Sequence, residues 1–247
     1  MRSFGTLLKH ELKLNIRNMN MVIFAVILPL VVLVILGVIY GTKPAAEGAS
    51  YTFLEQSIGA LCTISICASG LMGLPLVVSE YRERKILKRF QVTPVSPAKL
   101  LAVEFTIYVL YCAVSLVTLL LASMLFWKAA IPGSLPAFLG SWLLTMVSTL
   151  SIGLMVGGIA RNAKSASVIA CLLYFPMLIF SGATLPLEVM PDTMQKVVSI
   201  FPLTQGIQMM KATSLGLPTG GLWVPAAVMG AVTVICMGAA VICFQWE

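Results

Sequence analysis

The chain has 247 residues, 59% of them hydrophobic and 10% charged, with a formal net charge of +7. A soluble domain of this length carries about 25% charged residues, so the composition excludes one water-solvated core and makes lipid the solvent. The positive charge does not point to nucleic acid, because the basic residues stand beside apolar runs, where anionic headgroups or a partner protein are nearer counterparts.

The first nineteen residues repeat Phe4, Leu8, Leu12 and Ile16 at every fourth position, with Leu7 and Met19 on the same side. Lys9, Lys13 and Arg17 form an adjoining basic stripe. This pattern predicts an amphipathic helix over residues 1–19 in the headgroup plane, acting as an anchor or also touching a partner. Glu11 and Asn15 interrupt its apolar face and argue against deep insertion. Six apolar runs long enough to span follow, at about 21–40, 56–79, 101–127, 137–160, 165–182 and 222–244. The first has 20 residues and no small-residue cleavage pattern close behind it, so it reads as an uncleaved span. The expected fold is therefore an all-α integral membrane protein with six spans and no second, soluble domain. Pro29, Pro75 and Pro176 should kink or locally open their spans. Gly153 and Gly157 permit close helix packing within one subunit or at a dimer seam, the first being the plainer reading.

Twelve of the sixteen Lys and Arg residues fall within 2–17, 82–99 and 161–164. The positive-inside rule places all three stretches, and both termini, on the cytoplasmic side. Between the second and third spans, residues 80–92 put Ile86, Leu87 and Phe90 on one helical face and the basic groups on the other. Pro94 ends this short helix near Val92, and Ser96 then caps the third span with Pro97 at its first helical position. Arg161-Asn162-Ala163-Lys164 forms a tight turn on the same side, either a plain anchor or part of a docking surface. On the outer side, residues 183–221 contain the uncharged stretch Val197–Met210. It is too short to cross and reads as a re-entrant or interfacial segment folded onto the outer ends of the spans. Pro191 and Asp192 open a short helix there, and Phe201–Pro202 breaks it.

Chemistry is sparse. Cys62, Cys67, Cys112, Cys171, Cys236 and Cys243 all fall in predicted spans and read as buried free thiols, and the single histidine, His10, rules out a bis-histidine centre. Glu55 and Glu104 stand at the starts of the second and third spans, near the interfaces. An ion-coupled secondary transporter normally holds ionisable groups inside the membrane, so their scarcity counts against that class. No Gly-x-x-x-x-Gly-Lys-Ser/Thr phosphate loop is present, so the chain is expected to have no catalytic residue and no bound cofactor. Met72, Phe175, Met177 and Phe180 are candidates for a greasy translocation path, or else face lipid or the bundle interior.

In order and spacing these pieces resemble the membrane subunit of an ABC exporter, the ABC-2 type permease family. The resemblance covers almost the whole chain and is carried by Glu80-Tyr-Arg-Glu-Arg-Lys-Ile-Leu-Lys-Arg-Phe-Gln-Val-Thr-Pro-Val-Ser-Pro97 and by Phe201-Pro-Leu-Thr204. Lys85-Ile86 and Lys88-Arg89 depart from the family pattern, which has Gly-Thr and a more apolar pair. The resemblance implies a bacterial plasma-membrane exporter of a hydrophobic or amphipathic compound. It implies two permease copies, expected as a homodimer, over two separate ATPase subunits that hold the ATP and magnesium. Glu80, Tyr81, Arg82, Glu83, Arg84, Lys85, Leu87, Lys88 and Arg89, with Arg161, Asn162 and Lys164, would then contact the ATPase. The competing readings are a self-contained ion-coupled transporter and a non-transport anchor or immunity protein.

Overall fold

The computed structural model describes residues 2–17, 19–41, 43–45, 51–84, 97–129, 131–182, 191–218 and 221–243. Nine helices run through them: α1 (Arg2–Arg17), α2 (Met19–Tyr40), α3 (Phe53–Glu83), α4 (Pro97–Trp127), α5 (Leu135–Ile159), α6 (Ala163–Phe180), α7 (Asp192–Val198), α8 (Pro202–Leu215) and α9 (Trp223–Cys243). Among the described residues no strand forms, and Pro44 and Thr52 make an isolated antiparallel bridge. Six of the helices, α2 to α6 and α9, are long and apolar enough to cross a membrane. The molecule is thus an all-α integral membrane protein, as the apolar runs predict.

Local chemistry sets the helix ends. A capping box opens α3: the Thr52 hydroxyl accepts from the Glu55 N–H at 3.2 Å, and the Glu55 carboxylate accepts from the Thr52 N–H at 2.8 Å. Glu55 therefore caps the start of α3. Asn162 and Ser165 make the equivalent box at the start of α6. α8 ends at Gly216, whose φ of 67° is a conformation that favours glycine. Two of the three prolines within spans follow a widened helical turn. In α2 and α3 a π-helical turn, Ile23–Ile27 and Ala68–Gly73, precedes Pro29 and Pro75. The widened turn makes room for the proline ring and absorbs its missing donor.

Two helices form the centre. In its 18-residue apolar stretch α3 is 83% buried and α5 67%, against 22–33% for the other four spans. Glycines let these two meet: a Cβ on Gly153 would strike the Gly70 carbonyl, and one on Gly157 would come within 2.8 Å of Val78. The Gly153–Gly157 pair thus packs within the subunit. α8 lies against both central helices, with Gly206 on Thr145 and Gly59 on Met210. Counting 1.5 Å per residue from Leu135, Thr145 is about 15 Å along α5, so α8 lies beside α5 well inside its Leu135 end. α9 packs along α5, α2 and α4 pack on α3, and α1 lies on α4. One core gathers side chains of α2, α3, α4, α5 and α8, including Leu54, Tyr108 and Phe138. A second joins α3, α5, α6, α8 and α9 around Cys67, Ile152 and Met177.

Candidate functional site

Of the predicted coupling residues, Glu80, Tyr81, Arg82, Glu83 and Arg84 form the end of α3, and Arg161, Asn162 and Lys164 lie at the short connection between α5 and α6. The apolar run stops at Ser79, yet the helix continues to Glu83 without a break. No proline or glycine interrupts it, and Arg84 returns to Glu80 at 2.7 Å, a supporting pair at helical spacing. A separate short helix beginning at Glu80 is therefore not what the first residues form; they extend α3. Lys85, Ile86, Leu87, Lys88, Arg89, the helix stop near Val92 and the Ser96 cap lie outside the described residues. Among the described residues α4 runs from Pro97 to Trp127.

Successive side chains of this arm meet different parts of the chain. The Tyr81 hydroxyl lies 3.0 Å from the Glu11 carboxylate on α1 and 2.9 Å from the Glu104 carboxylate on α4. A phenol has one proton, so it donates to one carboxylate at a time and is shared between two helices. Asn15, four residues after Glu11 on the same face of α1, donates to Glu104 at 3.4 Å. Glu104 is fully buried and Asn15 almost so. Glu11 and Asn15 thus do not break up a lipid-facing surface; they turn toward protein. Phe4, Leu7, Leu8 and Leu12 of α1 pack on the core beside them, whereas Ile16 and Met19 stay exposed.

The next two residues reach the α5–α6 connection. Arg82 donates to the carbonyls of Gly158 and, at 3.2 Å, Ala160. Glu83 accepts from the Ala163 N–H at 2.9 Å. Asn162 caps α6 by accepting from the Ser165 N–H at 2.7 Å. Arg84, Arg161 and Lys164 are exposed. Tyr81, Arg82 and Glu83 are thus engaged with other helices, whereas Arg84, paired with Glu80 on its own helix, Arg161 and Lys164 present exposed cations.

The candidate path residues separate. Met72 and Met177 join the second core, and Phe175 is exposed and packs edge-on against Tyr174. Phe180 is half-buried. Cys62, Cys67, Cys112 and Cys236 are buried free thiols, and Cys171 is a half-buried one. Among the described residues no cluster of three His, Cys, Asp or Glu side chains offers a metal site. Glu11, Asn15 and Glu104 are the polar residues whose role the sequence reading did not assign. Their only signal is the four-residue spacing on α1 and a lone carboxylate early in an apolar span.

The match to the ABC-2 type transporter family extends over residues 2–215, from the first residue of α1 to the last of α8. The chain belongs to the ABC-2 type transporter family. Members of this family are membrane permeases that normally work with an ATPase subunit. Over 150 residues this ABC-2 chain is 27% identical to the inner membrane transport permease YhhJ of Escherichia coli (strain K12) and to that of Shigella flexneri. That match takes in 60% of this chain and 40% of each relative, so the chain spans about two fifths of the length of those relatives.

Proposed function

We propose that this chain is the permease of an ATP-driven exporter in a bacterial inner membrane, moving a hydrophobic or amphipathic compound outward. A separate ATPase in two copies supplies the energy from ATP and magnesium, and two copies of this chain form the pathway. The basic end of the bundle, with both termini, faces the cytoplasm. α8 lies within the outer leaflet as a re-entrant segment.

The observation that carries this reading is the arm at the end of α3. It emerges from the most buried span and is tied by side chains to α1, α4, α5 and α6 at one end of the bundle. A push delivered there reaches the helical core through contacts already in place. Around it, Arg84, Arg161 and Lys164 offer exposed cations to a partner surface, which suits orientation and association rate more than raw affinity. Lys85, Leu87, Lys88 and Arg89 would extend the same surface.

The test is co-purification with the ATPase, comparing the wild-type chain with a triple variant, Arg84→Glu, Arg161→Glu and Lys164→Glu. The account expects ATPase affinity to fall by about tenfold or more, because like charges then face each other. Unchanged affinity would remove this surface from the interface. One observation favours a second reading. Glu104, buried beside Glu11 and Tyr81, is an ionisable group inside a span, which ion-coupled transporters use. That reading requires transport without any ATPase.

A further inference from the structure

α5 stops at Ile159 and α6 starts at Ala163, so two helix ends face each other across Ala160, Arg161 and Asn162. The last carbonyls of one helix and the first N–H groups of the next have no partners inside their helices. Arg82 and Glu83, neighbours in sequence, each satisfy one end. The Arg82 guanidinium donates to the carbonyls of Gly158 and Ala160, at the negative end of α5. The Glu83 carboxylate accepts from the Ala163 N–H, at the positive end of α6. Both contacts are to backbone, so neither depends on a complementary side chain.

The two helices differ in how else they are held to α3. α5 meets α3 at the close Gly70–Gly153 and Val78–Gly157 contacts, one turn apart near its Ile159 end. α6 is a more peripheral helix, 22% buried in its apolar stretch, and rests on α3 through side chains, with Tyr174 and Met177 in one core with Cys67 and Leu71. For α6, the Glu83 contact is the polar tie to the arm that the described residues show.

We propose that Arg82 and Glu83 are positioning residues rather than ATPase contacts: they clamp the adjacent ends of α5 and α6 to α3, so that a displacement of the arm moves the three helices together. This rests on the reading of the chain as an ATP-driven permease and assigns its residues to separate tasks. Docking falls to the exposed cations Arg84, Arg161 and Lys164, and transmission falls to the two side chains already engaged with backbone.

The experiment compares wild type, Glu83→Ala and Glu83→Gln in the permease–ATPase complex, in lipid nanodiscs for exchange and affinity and in proteoliposomes for transport. Three quantities are read: amide hydrogen exchange over residues 161–168, affinity for the ATPase, and substrate moved per ATP hydrolysed. Loss of a charge-assisted hydrogen bond to backbone predicts exchange about tenfold faster in Glu83→Ala. Transport per ATP falls while ATPase affinity stays within about twofold of wild type, since the docking charges are untouched. Glu83→Gln keeps a carbonyl acceptor and recovers much of both protection and coupling. A docking contact predicts the reverse, with unchanged exchange, weaker ATPase binding, and Gln no better than Ala; that result overturns the clamp. If the wild-type chain binds no ATPase, the exporter reading fails, yet exchange in the chain alone still decides whether Glu83 holds the end of α6.

Discussion

Tyr81 is the residue on which most of the arm's packing turns. Its hydroxyl joins Glu104, which is shut away from solvent, to Glu11 on the N-terminal helix. Tyr81→Phe keeps the ring and removes the only hydrogen that the phenol can share. It leaves the Glu104 carboxyl with the longer contact from Asn15. Hydrogen bonds to charged groups contribute about 1.5–3 kcal/mol, so Tyr81→Phe is expected to destabilise the chain by that amount. Thermal unfolding in detergent checks it; a melting temperature equal to wild type would mean that the cluster is not closed in solution. The sequence offered half of this arrangement. The spacing of Glu11 and Asn15 put both on one face of α1, but hydrophobic periodicity does not say which polar group 70 or 89 residues away will meet them.

At the scale of single helices, apolar run length predicted six spans, and six helices are long and apolar enough to cross, because the need to cross hydrocarbon fixes helix length. Ends were less legible where charge and helix structure diverge. α3 continues four residues past its last apolar stretch, since nothing in Glu80-Tyr81-Arg82-Glu83 opposes a helix. The π-helical turns ahead of Pro29 and Pro75 were not legible either, because proline announces a disturbance and not its form. The α3–α5 contact gives the clearest element-level prediction. Gly153→Ala sets a methyl group against the Gly70 carbonyl, which cannot rotate away, and should cost about 1–3 kcal/mol through overpacking. Gly140→Ala, on the same helix with open space around it, should stay within about 0.5 kcal/mol of wild type. Equal melting temperatures for the two variants would contradict the packing described here.

For the whole molecule, what the sequence could not rank is which spans are central. Lipid-facing and protein-facing helices are equally apolar, so composition does not separate α3 and α5 from α2, α4, α6 and α9. Small residues were the useful clue, since they allow the backbone approach that only a central contact exploits. Much of the candidate site was legible as a charged segment between the second and third spans. Its division into side chains that grip the bundle and side chains that remain free was not, because the grip is on backbone groups of α5 and α6. The central claim is that energy enters this chain from ATP through that arm. The most direct measurement is substrate movement in proteoliposomes holding the permease–ATPase complex, with ATP supplied and ion gradients dissipated. The account predicts transport that requires both ATP and the ATPase and survives the loss of ion gradients. Transport by the chain alone, driven by a proton or sodium gradient, would contradict it and move attention from the arm to Glu104.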